Sequence, residues 1–410
     1  MKSESQLKER SRLALKSREL EVEAEDRPHN PNCEMVRNVR QFELGDGEWN
    51  WAMESCEMVE IMKEEKSSLN EKKDNTHCIV AMLSPLTMSL LALLLISVSL
   101  IPATTFALCN EDDKQNLLII RDSFGSSNPP WHSDIPCCDW PGIDCDATGH
   151  VTGMAILENP LIGPIPPAIG NLRYLQVVRL HKLPNLYGTI PPEIAKLSNL
   201  RFLTISWTGV YGSVPSFLAN LTALEQLDLS FNKLSGFIPS SLGDLPKLYS
   251  IDISRNNLTG TIPASLLHKV SDSYLLLSHN NLTGPVPKSF QKVYFRRVDL
   301  SRNKLIGDAS VFFGQSKSTQ SIDLSRNKLM FDLSKVKFPE AELLSLDLNH
   351  NMIYGSIPKQ ITKVVNLQGF NVSYNMLCGE IPQGGKLGKL DKYSFFHNKC
   401  LCGPPLEPCT

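Results

Sequence analysis

The feature that most constrains this chain is a repeat of 24 residues. Its plainest copy carries Leu221, Leu224, Leu227, Leu229, Asn232, Leu234, Gly236, Ile238 and Pro239. The glycine returns at Gly163, Gly188, Gly212, Gly236, Gly260, Gly284, Gly307, Gly355 and Gly379, with Phe331 in the one place that breaks the series. First to last spans 216 residues, or nine steps of 24. The asparagine returns at Asn159, Asn232, Asn256, Asn280, Asn303, Asn327, Asn351 and Asn375. A unit this short cannot bury its apolar edge alone, so units must stack. In Leu227-Asp228-Leu229 the period of two predicts a short strand that buries both leucines and presents Asp228. Each strand then pairs in parallel with the next, about 4.8 Å away. Asn232 turns the chain out of the strand. Its amide is placed to bond neighbouring backbone groups that would otherwise cost roughly 1–3 kcal/mol each when buried. Gly236 and Ile238-Pro239 are expected to shape an outer connection, extended but without ladder N–H groups.

A period in the twenties with L-x-x-L-x-L-x-x-N-x-L is a leucine-rich repeat. The expected fold class is therefore an α/β repeat solenoid, a right-handed superhelix of about ten repeats. At 410 residues the length alone would suggest two or three globules; the repeat replaces them with one elongated domain. The raw ends of such a stack need caps. Eight cysteines sit where caps belong: Cys109, Cys137, Cys138 and Cys145, then Cys378, Cys400, Cys402 and Cys409. The apolar spacing of Leu117, Leu118, Ile119 and Ile120 suggests a capping helix between Asn110 and Phe124. The expected organisation is an acidic extension over 1–81, a signal peptide over 82–107, an N-terminal cap over 108–150, repeats over 151–383 and a C-terminal cap over 384–410.

The front of the chain bears on the compartment. Residues 1–78 hold 13 Lys+Arg against 18 Asp+Glu, whereas the whole chain is near neutral at −2. That balance argues against a nucleic-acid binder. One apolar run, densest from Leu86 to Ile101, ends near Thr105 and Ala107, small residues that fit the −3 and −1 positions of a signal-peptidase site. Cleavage is expected after Ala107, with Met82 as the natural start. The rival is a signal anchor that leaves 1–81 in the cytosol. Clustered, even-numbered cysteines behind a signal read as a disulfide framework. Zinc is the alternative, but paired C-x-x-C spacing is missing. Each cluster of four permits three pairings, and spacing does not choose among them.

The middle strand position runs Arg179, Thr204, Asp228, Asp252, Leu276, Asp299, Asp323, Asp347 and Asn371. This is an acidic ladder broken at Leu276. Neighbouring carboxylates 4.8 Å apart repel by about 0.9 kcal/mol in water. Arg255, Arg302 and Arg326, three residues after Asp252, Asp299 and Asp323, offset that repulsion, and Arg296 and Arg297 lie beside Asp299. The ladder has two readings: a structural element of the repeat, or a rigid charged surface that docks a partner. Phe202, Trp207, Phe231, Tyr249, Tyr274 and Tyr374 interleave with these charges, and exposed Trp, Tyr and Arg are enriched in interface hot spots. Basic residues gather at Arg173, Arg179, Lys182, Lys196 and Arg201. Asn220, Asn257, Asn281 and Asn371 are glycosylation candidates. The first three lie off the strand face. A glycan on Asn371 would obstruct docking, so it is not expected to be occupied.

No catalytic constellation stands out, and no cofactor or metal is implied. Every ladder step gives the same carboxylate spacing, so no glycosidase pair is singled out. An open sheet offers no apolar pocket to raise one pKa. His181, His279 and His350 lack a serine–acid partner at readable spacing, and there is no phosphate-binding glycine motif.

Several stretches are far more specific than the generic repeat: LCNEDDKQNLL at Leu108–Leu118, CCDWPGIDC at Cys137–Cys145, GDASVFFG at Gly307–Gly314, LCGEIPQGGKL at Leu377–Leu387 and HNKCLCGPPL at His397–Leu406. In these the chain from Cys109 to Thr410 resembles plant polygalacturonase-inhibiting proteins. The resemblance implies disulfides Cys109–Cys137, Cys138–Cys145, Cys378–Cys400 and Cys402–Cys409. It implies a secreted defence protein of the plant cell wall that inhibits fungal endopolygalacturonases through its concave face and contacts pectin. By position, Asp228, Asp252, Asp299, Ser321, Asp323 and Trp207 become enzyme-facing candidates, and Arg255, Arg302 and Arg326 pectin-facing ones. The protein is expected to be a monomer, with no stable membrane insertion once the signal is cleaved. Two rivals remain: a ligand-binding ectodomain in cell-surface signalling, and a wall-polymer or ice binder. The latter would want rows of threonine, whereas Thr204 and Thr208 read as isolated.

Overall fold

The computed structural model describes residues 109–125, 129–268 and 270–409. The expected extension and signal segment, 1–81 and 82–107, lie outside the described residues.

The apolar alternation within each unit sets the inner sheet. Parallel strands Val151–Leu157, Val177–Gly188, Phe202–Ser213, Gln226–Asp228, Ser250–Asp252, Ser273–Leu276, Phe295–Asp299, Ser321–Asp323, Ser345–Asp347 and Gly369–Asn371 follow one another in chain order. Ile143–Cys145 pairs antiparallel on the outer edge of the first. The leucines of the unit are buried completely, Leu221, Leu224, Leu229 and Leu234 among them, and they form one continuous core along the stack. The helical part of most repeats is a short 3-10 turn such as Pro192–Lys196 or Ser240–Asp244. The α-helix of the solenoid's described residues is the cap, α1 (Glu111–Asp122). Asn110 caps its N-terminus by accepting the Asp113 N–H at 3.1 Å. Leu117, Ile120 and Phe124 bury its inner face, while Ile119 is left exposed.

The outer connection is a second parallel sheet rather than an unpaired segment. Lys233–Phe237, Asn257–Gly260, Asn281–Pro285 and Lys304–Gly307 pair in succession, and Val177–Gly188 and Phe202–Ser213 are long enough to serve both sheets. The repeating glycine makes this possible for two reasons. It sits at positive φ, +77° at Gly260 and Gly284, where a Cβ is strained. It also lies under the next side chain of the preceding coil: a Cβ on Gly260 would fall 2.3 Å from Phe237, and one on Gly284 2.7 Å from Thr261. Where Phe331 replaces glycine its ring is buried, and an isolated bridge, Asp332 to Tyr354, carries the sheet onward.

The asparagines stitch the coils together. Asn303 donates to Leu277 O at 3.0 Å and Leu300 O at 3.1 Å and accepts from Leu282 N at 3.0 Å, so one amide serves two coils. The same pattern recurs at Asn256, Asn280, Asn327, Asn351 and Asn375. It also continues at Asn398, inside the stretch read as the C-terminal cap. Asn159 opens the series, and its Oδ1 is buried without a partner, as expected where no earlier coil offers the matching N–H. The sulfurs pair as Cys109–Cys137, Cys138–Cys145, Cys378–Cys400 and Cys402–Cys409, the set the resemblance implies.

Candidate functional site

The inner sheet carries three parallel rows. The register aligns Arg179, Thr204, Asp228, Asp252, Leu276, Asp299, Asp323, Asp347 and Asn371 side by side. Leu276 divides the acids into a pair and a triplet. Two residues upstream runs a row of Gln226, Ser250, Tyr274, Arg297, Ser321 and Ser345. Ser321 therefore faces Arg297 on one side and Ser345 on the other.

The acids are half-buried, each holding its own turn. Asp228 accepts from Ser230 N at 2.9 Å and Ser230 Oγ at 2.7 Å. Asp299 does the same with Ser301 at 3.0 and 2.7 Å. Asp252 and Asp323 accept from Ser254 N and Ser325 N, both at 2.9 Å. Burial pushes Asp252 and Asp323 up to about 6, against the opposing pull of these turn hydrogen bonds. The neighbouring carboxylates Asp228 and Asp299 raise Asp252 further, and Asp299 and Asp347 raise Asp323. Asp347 is raised for the same first reason, burial. Asn371 occupies the same place and bonds Ser373 in the same way, at 3.0 and 2.7 Å. Its carbonyl is thus engaged within the turn.

The third row lies at the strand exits, and sequence reasoning saw only pieces of it. Glu158, Lys182, Trp207, Phe231, Arg255, His279, Arg302, Arg326, His350, Tyr374 and His397 all have φ between +48° and +55°. Bulky residues rarely adopt this conformation. Here the backbone on both sides is tied to the next coil, as in Arg302 N to Ser325 O at 2.9 Å and Asn327 N to His350 O at 3.2 Å. Each side chain is thereby turned to the same edge. Lys182 pairs with Glu158 at 2.7 Å. Trp207 stacks on Phe231 with centroids 3.6 Å apart, and Arg255 covers the other ring, 4.7 Å from the Phe231 centroid. His350 stacks on Tyr374 at 4.1 Å, and Tyr374 lies 4.4 Å from His397. Burial and the adjacent Arg326, Arg302 and His397 hold His350 below the usual imidazole range. Trp207 is nonetheless 46% exposed. The signal for most of this row is the residue before each repeating asparagine, although Lys182 and Trp207 precede Leu183 and Thr208 instead. It was unreadable without knowing that the position is left-handed. His181 sits one residue before this row, and its Nδ1 lies 2.9 Å from Ser206 Oγ, 25 positions along the chain.

The sequons fall elsewhere. Asn220 ends a 3-10 turn on the opposite side of the coil and is exposed. Asn257 and Asn281 begin outer-sheet strands, with Thr259 and Thr283 of their sequons on the same exposed face. The sulfurs of Cys109, Cys137 and Cys138 lie close enough to suggest a metal cluster, but all three are in disulfides and offer no thiolate.

Three family models match: leucine rich repeat over residues 214–258 and 273–293, and leucine rich repeat N-terminal domain over 110–146. The chain is 51% identical over 323 residues to the polygalacturonase inhibitor of Pyrus communis, covering 78% of this chain and 97% of that one. It is 52% identical over 310 residues to polygalacturonase inhibitor 1 of Arabidopsis thaliana, covering 74% and 93%. Among solved structures it resembles a plant ice-binding protein, with 45% identity and a TM-score of 0.71 over 74% of this chain and 98% of that one.

Proposed function

The chain belongs to the polygalacturonase-inhibitor family of plant leucine-rich-repeat proteins, and we propose that it binds and inhibits fungal endopolygalacturonases through its concave inner sheet. The observation that carries this reading is the pairing of two rows on one rigid face: a half-buried acidic ladder beside a left-handed edge of cations and rings. An enzyme that cuts a polyanion presents a basic cleft. A fixed row of carboxylates complements such a cleft, while Trp207 and the arginines select among clefts. Asp228, Asp252, Asp299, Asp323, Ser321 and Trp207 are the enzyme-facing residues in this reading, and the protein acts as an inhibitor rather than an enzyme. Arg255, Arg302 and Arg326 share the edge row and take pectin carboxylates. The protein works as a secreted monomer in the plant cell wall, after removal of 82–107. Glycans on Asn220, Asn257 and Asn281 leave the concave face open.

The test is endopolygalacturonase activity measured with and without the purified secreted protein. Slowed pectin cleavage, reversed by raised salt, is the expected result; unchanged cleavage across a panel of fungal enzymes sinks the proposal. One observation favours a second reading. On the outer sheet Ser235, Thr259 and Thr283 occupy the same repeat position and bond the preceding coil at Gly212 O, Gly236 O and Gly260 O. This is the hydroxyl row that Thr204 and Thr208 do not make, and it suits an ordered water or polymer surface. An ice-recrystallisation assay on deglycosylated protein separates that reading from inhibition.

A further inference from the structure

The outer sheet sets two phenols side by side near the N-terminal end of the stack. Tyr187 and Tyr211 each stand one residue before a repeating glycine, Gly188 and Gly212, in consecutive coils. The preceding residues, Leu186 and Val210, are completely buried, while the two tyrosines are 49% and 51% exposed. The period of two thus puts both rings on one face. The parallel register pairs Tyr187 with Gly209 and Gly188 with Val210. Tyr211 is therefore two residues beyond the partner of Tyr187 on the adjacent strand, which puts the two Cα atoms about 8 Å apart. Gly209, the residue opposite Tyr187, places no side chain between the rings. Among the described residues neither hydroxyl makes a hydrogen bond. The other tyrosines exposed among the described residues have different neighbours. Tyr174 stacks on His150 and Tyr374 on His350. Tyr294 lies under Lys317, Tyr393 packs edge-on against Phe396, and Tyr354 is paired with Met376.

We propose that Tyr187 and Tyr211 are a site of oxidative phenol coupling, joined within one molecule by a haem peroxidase and hydrogen peroxide. Each phenol gives up its hydroxyl hydrogen, one proton and one electron, to the oxidised haem. The two phenoxyl radicals pair, and a carbon–carbon bond forms between ring carbons ortho to oxygen. The hydrogens on those carbons then move to the oxygens, which restores both phenols. The peroxide takes up the two protons and two electrons and leaves as two waters. Exposure admits the oxidant, and the shared face and short separation favour the partner ring of the same molecule. The bond ties Val177–Gly188 to Phe202–Ser213, two of the first three strands behind the N-terminal cap. A stack of this kind frays first at its ends, so coupling staples a weak end of the solenoid under oxidising conditions. The site lies on the outer sheet and is independent of the enzyme docking proposed for the inner one.

The test treats the purified secreted protein with a haem peroxidase and limiting hydrogen peroxide, followed by dityrosine fluorescence, gel mobility and peptide mass mapping. The expected product is a monomer, lighter by the two hydrogens lost, in which the peptides of Tyr187 and Tyr211 are joined. Amide exchange across Val177–Gly188 slows in that product. Tyr187→Phe and Tyr211→Phe each lose the fluorescence and the slower exchange, with circular dichroism unchanged, whereas Tyr354→Phe keeps both. Coupling only between molecules, or coupling centred on Tyr354, Tyr393 or the half-buried Tyr249 and Tyr274, overturns the proposal. So does a Tyr211→Phe variant that couples as the parent does, or a parent that forms no dityrosine.

Discussion

At the residue scale, each ladder aspartate has two separable jobs. One oxygen holds the turn, and in the proposed reading the net charge faces the enzyme. Asn371 shows that an amide does the first job without the second, since it bonds Ser373 just as Asp299 bonds Ser301. Asp299→Asn should therefore keep the thermal stability of the parent while weakening inhibition, whereas Asp299→Ala should lose about 1 kcal/mol of stability as well. Thermal melts beside inhibition assays check this, and equal destabilisation by both changes refutes it. The buried acids also set a pH dependence. Asp252 and Asp323, at about 6 against an ordinary 3.8, bind protons more tightly in the folded chain than in the unfolded one. Their contribution to stability is lost as pH rises from about 4 to about 6 and is flat above. The melting temperature of Asp252→Asn/Asp323→Asn should thus vary less over that window than that of the parent. The positions of these acids were legible in the sequence from the period of two. Their burial was not, because it depends on how the turn folds back over each carboxylate.

At the scale of the element, the coil-to-coil contacts carry the energetics. Asn303→Ala removes the partner of one N–H and of three carbonyls and should lower stability by roughly 3 kcal/mol, more than any ladder aspartate. Denaturant titration checks the order. The glycines of the outer sheet test a different contact. Gly260 and Gly307 have the same left-handed φ, +77° and +76°, but only Gly260 lies under a ring, that of Phe237. Gly260→Ala should destabilise more than Gly307→Ala, and the difference should vanish when Phe237 is also Ala. The glycine period is plain in the sequence, but its role in pairing is not. From sequence Gly236 suits an unpaired connection, because a lone glycine between apolar residues gives no sign of a strand that pairs only with its own copies.

For the whole molecule, a stack in which each coil touches its neighbours loosens from its ends, and the disulfides guard those ends. Reduction should raise amide exchange first in α1 and in Cys400–Cys402, while Gln226–Asp228 through Phe295–Asp299 stays protected. Uniform exchange along the chain contradicts this. Docking of a charged face over many coils should weaken with salt. It should also strengthen as pH rises through 6, as Asp252 and Asp323 acquire charge. The sequence by itself determined the solenoid, its period and the register of the acidic ladder, because apolar spacing and a repeating buried asparagine leave the backbone one way to satisfy itself. Only the tertiary structure decided the left-handed edge that gathers Trp207, Arg255, Arg302 and Arg326 with His350 and Tyr374. It also decided the second sheet and the depression that Tyr249, Tyr274 and Arg296 line together. Those features arise between coils, where side chains 24 residues apart become neighbours and a backbone angle, not a residue type, sets which way each one points.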